Sequence, residues 1–257
     1  MKNRIVLIIG AFVLGLSGFS AWAADAPPPP LMAETWGCSY KPGKDIDDIL
    51  KARDNLLKQA EKAGIDLPPS YMWSLLKGNV AYDTVWLNVH QNLGAFGANN
   101  DAWAASGLGE EVLEQFYDVS DCSTGMAGFY PIFQKEGFTP PEQGSTRVLA
   151  TLGCTFNHGM DIDHMGDLAN HMSQTMASMG DAAPMVAVGL RPFTARPPGS
   201  PDVILVSAFN SMSGWTNYVD QLFSTPAGET LRNHMDIILD CDVALWGSQT
   251  MVAPAGE

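Results

Sequence analysis

The chain has 257 residues, 46% of them hydrophobic, and a formal charge of −14 at pH 7. A chain this acidic repels phosphate backbones and anionic lipid, which argues against nucleic acid and the membrane surface as partners. The length supports one large domain or two small ones.

The first element is a secretory signal. Lys2 and Arg4 are followed by an apolar run, Ile5 to Leu16, and by the small-x-small pattern Ala21-Trp22-Ala23. Cleavage before Ala24 makes residues 1–23 the signal peptide, moves the net charge to −16 and leaves no membrane span. The expected location is periplasmic or secreted. Residues 24–33, with Pro27 to Pro30, read as a Pro-rich spacer.

After the spacer the chain reads as one unit written twice. Trp36-Gly37-Cys38-Ser39-Tyr40 and Asp45-Ile46-Asp47 return as Leu152-Gly153-Cys154-Thr155-Phe156 and Asp161-Ile162-Asp163, at an offset of 116. Further on, Asp83, Phe96, Gly109-Glu110 and Asp121-Cys122 match Asp202, Trp215, Gly228-Glu229 and Asp240-Cys241, at an offset of 119. A period of this kind must be settled before any motif is read. It makes residues 34–130 a first repeat, 131–147 a linker rich in Pro, Gly and polar residues, and 148–257 a second repeat. Shared residues then point to architecture, and unshared ones to function.

In the first repeat a strand near 35–40 leads to a helix over 45–63, with Ile46, Ile49, Leu50, Leu56 and Leu57 on one stripe and Gly64 as its stop. Strands are expected at 71–76 and 82–91, a helix interrupted near Gly107–Gly109 at 100–119, and a last strand at 123–130. The second repeat offers matching segments at 148–156, 161–179, 185–190, 203–209, 216–239 (broken near Pro226–Gly228) and 243–250. The resulting order, βαββαβ twice, is an α+β plan of two ferredoxin-like units. The four cysteines, even in number in an exported chain, read as disulfides, one per repeat: Cys38 with Cys122 and Cys154 with Cys241.

Two such units in tandem resemble the dimeric α/β-barrel superfamily. That group includes small antibiotic-biosynthesis-type monooxygenases, NIPSNAP-like and EthD-like proteins, haem-degrading monooxygenases and chlorite-dismutase-like proteins. The resemblance rests on element order and duplication; no catalytic motif of a member is present. It implies a pseudo-dimeric α/β barrel around a central cavity. It also places the first and fourth strands of each unit side by side, where the paired cysteines would meet.

Candidate chemistry lies on the third strand. Val85, Leu87 and Val89 alternate with Thr84, Trp86, Asn88, His90 and Asn92. The aliphatic set is expected beneath the helices. Trp86, Asn88 and His90 are then the catalytic candidates in the central cavity, with His90 as acid/base and Asn88 as oxyanion donor. The corresponding positions of the second repeat, Val203, Leu205, Ser207, Phe209 and Ser211, make a more apolar wall. Ser207 and Phe209, with Trp246 of the last strand, are the ligand-binding candidates. Such a cavity suits a small apolar or aromatic molecule.

His158, His164 and His171 have no ordinary metal-ligand spacing, Asp45/Asp47 and Asp161/Asp163 read as helix caps, and the methionines of 160–185 fall at helical spacing as core. No metal and no cofactor are expected. The leading function is a cofactor-poor monooxygenase- or isomerase-like enzyme. The alternatives are a carrier or sensor of a small apolar ligand, and a haem protein with His90 as axial ligand. Protein partners are not legible.

Overall fold

A computed structural model describes residues 31–193 and 200–254. The signal peptide and the Pro27 to Pro30 tract lie outside the described residues.

The first half runs β1 (Leu31–Tyr40), α1 (Ile46–Ala63), β2 (Ser70–Lys77), β3 (Thr84–His90), α2 (Leu93–Ser106), α3 (Gly109–Val119) and β4 (Ser120–Gln134). The second runs β5 (Thr146–Phe156), α4 (Met165–Ser178), β6 (Val186–Pro192), β7 (Val203–Phe209), α5 (Met212–Ser224), α6 (Pro226–Ile238) and β8 (Leu239–Val252). Several boundaries differ from expectation: α2 starts at Leu93 rather than near 100, α5 at Met212 rather than 216, and β8 runs beyond 243–250 at both ends. Leu31, Met32 and Ala33 are not spacer but the start of β1, because Met32 and Ala33 are buried. Likewise β4 and β5 extend into the expected linker at both ends.

The eight strands close into one antiparallel barrel in the order β1-β3-β2-β8-β5-β7-β6-β4. The halves join through β2 against β8 and β4 against β6. Within each half the fourth strand lies beside the first, with Cys38 opposite Cys122 and Cys154 opposite Cys241. Both pairs are disulfide-bonded, each with Cα atoms 4.1 Å apart. They close loops with sequence separations of 84 and 87 residues. The chain-entropy estimate for loops of that size is roughly 4–5 kcal/mol each.

The same local devices recur in both halves. Asp45 caps α1 by accepting the Asp47 N–H at 3.0 Å, and Asp161 does the same for Asp163 at 3.0 Å. Asp83 accepts the Tyr40 N–H, and Asp202 accepts the Phe156 N–H, both at 2.9 Å. Gly64 ends α1 at φ 65°, in the left-handed region where a Cβ is penalised. Glycine at 228 has a different reason: a Cβ there would lie 2.5 Å from the Leu222 carbonyl, so α6 can start hard against α5 only without one.

The barrel interior is packed. Ala33, Trp73, Leu87, Ala127, Leu149, Val188, Val206 and Trp246, one from each strand, form a single cluster that contains no helix residue. Trp246 donates its indole N–H to Thr151 Oγ1 at 2.9 Å inside it. Side chains of an eight-stranded barrel fill its interior. The aliphatic residues of β3 therefore serve that interior: Val85, Leu87 and Val89 all pack with this cluster. This reverses the expected faces. Trp86, Asn88 and His90 look outward, toward the helices, and the central cavity is not where they meet.

Candidate functional site

The first and second halves differ in how they fill the space between barrel and helices. In the second half Leu168, Met172 and Met176 of α4, Phe209 of β7, Tyr218 of α5 and Leu231 of α6 interlock as one buried core. In the first half the corresponding core is small, built on Ile49, Met72, Val119 and Met251. Beside it a cavity of about 220 Å³ remains between β1, β3 and the helices α1, α2 and α3.

The polar end of that cavity is a hydrogen-bonded array. Asn88 faces Glu34 across the β1–β3 pairing, and its Nδ2 donates to Glu34 Oε2 at 2.8 Å. Asn88 Oδ1 accepts from Ser70 Oγ at 2.8 Å and from Trp86 Nε1 at 2.6 Å. His90 Nε2 stands 3.6 Å from Glu34 Oε2 and has no hydrogen-bond partner among the described residues. Its ring meets Phe96 of α2 edge-on, with centroids 5.4 Å apart. Burial pushes the Glu34 carboxyl up, but the His90 imidazole, the Asn88 amide and the Trp36 indole outweigh it and hold the carboxyl below its ordinary range.

The remaining walls are mostly apolar, with Thr84 of β3 and Asn99 and Asn100 of α2 as their polar members. Trp36 and Trp86, opposite one another on β1 and β3, are joined by Trp103 of α2 and Phe116 of α3, with Ile49, Leu56, Met72 and Val112 around them. Trp86 and Phe116 meet edge-to-face at 5.8 Å. Glu34 is the one charged side chain among the lining residues, and the Cys38–Cys122 disulfide forms part of the wall.

The expected site residues are thus split among three places. Trp86 and Asn88 line this cavity. His90 is buried behind it, its side chain 2% exposed. Phe209 packs on Tyr218 beneath α5, on the far half, and Ser207 shares its strand face. Trp246 lies inside the barrel. Ser207, Phe209 and Trp246 therefore do not face Trp86, Asn88 and His90. Inverting the β3 faces inverts β7 as well, while Trp246 on β8 stays inside, which separates the two sets.

Glu34, Trp36, Trp103 and Phe116 escaped the sequence reading. The signal was available in a comparison of the two halves. On β1 and β3 the pairs Glu34–Asn88 and Trp36–Trp86 stand where β5 and β7 pair Ala150 with Ser207 and Leu152 with Leu205.

Three of the four histidines elsewhere, His164, His171 and His234, have structural partners. His164 Nδ1 accepts the Asp161 N–H at 3.2 Å and completes a capping box. His171 of α4 meets His234 of α6, Nδ1 to Nδ1 at 3.0 Å, a pairing the sequence reading did not make. No group of three or more His, Cys, Asp or Glu with metal-ligand geometry occurs among the described residues.

No family model matches the sequence, and no curated protein sequence is significantly similar to it. Solved structures do match. A candidate monooxygenase from Lactobacillus acidophilus NCFM aligns over 89% of this chain and 100% of its own, with a TM-score of 0.53 and 8% identity. An anthrone oxidase-like protein aligns over 86% and 93%, with a TM-score of 0.52 and 13% identity. A second candidate monooxygenase, from Fusobacterium nucleatum, aligns over 87% and 93%, at 0.54 and 9%.

The fold is that of the dimeric α/β-barrel proteins.

Haem, one of the alternatives raised by the sequence, does not fit this cavity. No histidine lines it, its two cysteines are bonded to each other, and His90 aims its Nε2 at Glu34. Its volume is also below the usual range for drug-sized ligands, which begins at about 300 Å³.

Proposed function

We propose that the chain is an exported small-molecule-binding protein with the monooxygenase-like barrel fold, and that its ligand occupies the first-half cavity. One observation carries this reading: the half that keeps Glu34, Trp36 and Trp86 leaves a cavity, and the half with Ala150, Leu152 and Leu205 fills the same space with side chains. Tandem duplication of one βαββαβ unit accounts for the matched registers, and divergence of the first copy accounts for the cavity. Two disulfides and the signal-like residues 1–23 support an oxidising, exported setting.

Within this reading, capture is favoured over acid/base work. The Asn88 amide already makes three hydrogen bonds, His90 is sealed off, and Glu34 is held ionised, which makes it a poor base near neutral pH. A second reading, monooxygenase- or isomerase-like turnover with Glu34 accepting a proton, is favoured by the imidazole standing directly behind that carboxylate. Mass spectrometry of small molecules co-purified from the native compartment separates them. A ligand recovered unchanged after aerobic incubation fits capture. A product whose formation is lost in Glu34→Gln fits turnover. No molecule retained by the intact chain refutes the site.

A further inference from the structure

We infer that the cavity is built for an organic cation, an ammonium group carried on a compact aromatic or aliphatic body; this rests on the cavity being the ligand site. Three observations converge. The lining contains one carboxylate, Glu34, and neither Lys nor Arg, so an anionic ligand would meet uncompensated negative charge. Around it stand the indoles of Trp36, Trp86 and Trp103 and the ring of Phe116. Indole is the strongest of the aromatic cation acceptors, and a cage of such rings is the common way of holding an ammonium group out of water.

The third observation is the internal control. The second half replaces Glu34, Trp36 and Trp86 with Ala150, Leu152 and Leu205 in the same register. At the offset of 119, Trp103 and Phe116 fall on Leu222 and Met235, which help fill the second core. Every charged or aromatic member of the group is thus replaced in the half where a buried side-chain core takes the corresponding place. A neutral apolar ligand would need the indoles but not the carboxylate. Glu34 is half-buried with the His90 imidazole 3.6 Å behind it, and neither Arg nor Lys meets it on the cavity side, which leaves that side open to a cation.

Size limits the ligand further. At about 220 Å³ the cavity lies below about 300 Å³, where drug-sized pockets begin, which favours a compact ligand.

The test is titration calorimetry of the full, disulfide-bonded chain near neutral pH with three probes of similar size: 2-phenylethylammonium, 2-phenylethanol and phenylacetate. The ammonium should bind about tenfold more tightly than the alcohol, and phenylacetate more weakly than either. Glu34→Gln should bring the ammonium to within about threefold of the alcohol by weakening the ammonium more than the alcohol. Trp103→Leu, on a helix with no buried residue, should weaken the ammonium more than the alcohol, and it decides the matter if Glu34→Gln does not fold. An alcohol that binds as tightly as the ammonium, or a preference that survives both substitutions, overturns the cation assignment and leaves the cavity as a site for neutral ligands. Failure of all three probes to bind overturns the cavity reading as well.

Discussion

At the residue scale, the array around Glu34 sets the behaviour of the site. Its carboxyl titrates lower in the folded chain than in the unfolded one. Such a group adds stability above its unfolded pKa, and the contribution is lost as pH falls through the folded value. The melting temperature of the native chain should therefore fall more steeply below about pH 4.5 than that of Glu34→Gln, whose curve should be flatter there; scanning calorimetry across the acid range checks this. Inside the barrel, Trp246→Phe removes the donor to Thr151 and leaves a buried hydroxyl unpaired. The expected cost is about 1–3 kcal/mol in urea unfolding, with ligand affinity unchanged because Trp246 does not line the cavity.

At the element scale, α2 is the weak cover. None of its 14 residues is buried, whereas its counterpart α5 buries Tyr218. Helices held by few buried contacts open first. Amide exchange should be fastest among the helices in α2, and ligand should slow it in α2 and α3 but not in α5 and α6. Equal protection of α2 and α5 without ligand would contradict this. Glycine 228 offers a check on the other half. Gly228→Ala sets a Cβ against the Leu222 backbone and should cost about 1–3 kcal/mol, read by denaturant midpoint.

Element order, the paired cysteines and the capping aspartates were legible in the sequence because they depend on local chemistry and recur in both halves. The facing of β3 was not. Alternation shows that Val85, Leu87 and Val89 share a face, but both faces of a barrel strand are covered, one by the interior and one by helices, so alternation alone cannot say which is which. Glu34 was hidden for a related reason. It becomes chemically meaningful only when β1 is set against β3, and that pairing is non-local in the chain.

At the scale of the whole molecule, one closed sheet joins two halves of the same element order, and the cavity lies in the first of them while a buried side-chain core occupies the second. Methyl-resolved NMR during titration with 2-phenylethylammonium tests that asymmetry most directly. The account predicts shifts at Ile49, Leu56, Met72 and Val112, which line the first-half cavity, with Leu190 and Val206 of the barrel interior and Met172 and Met176 of the second core unmoved. Shifts concentrated at Leu190 and Val206, or at Met172 and Met176, would contradict it.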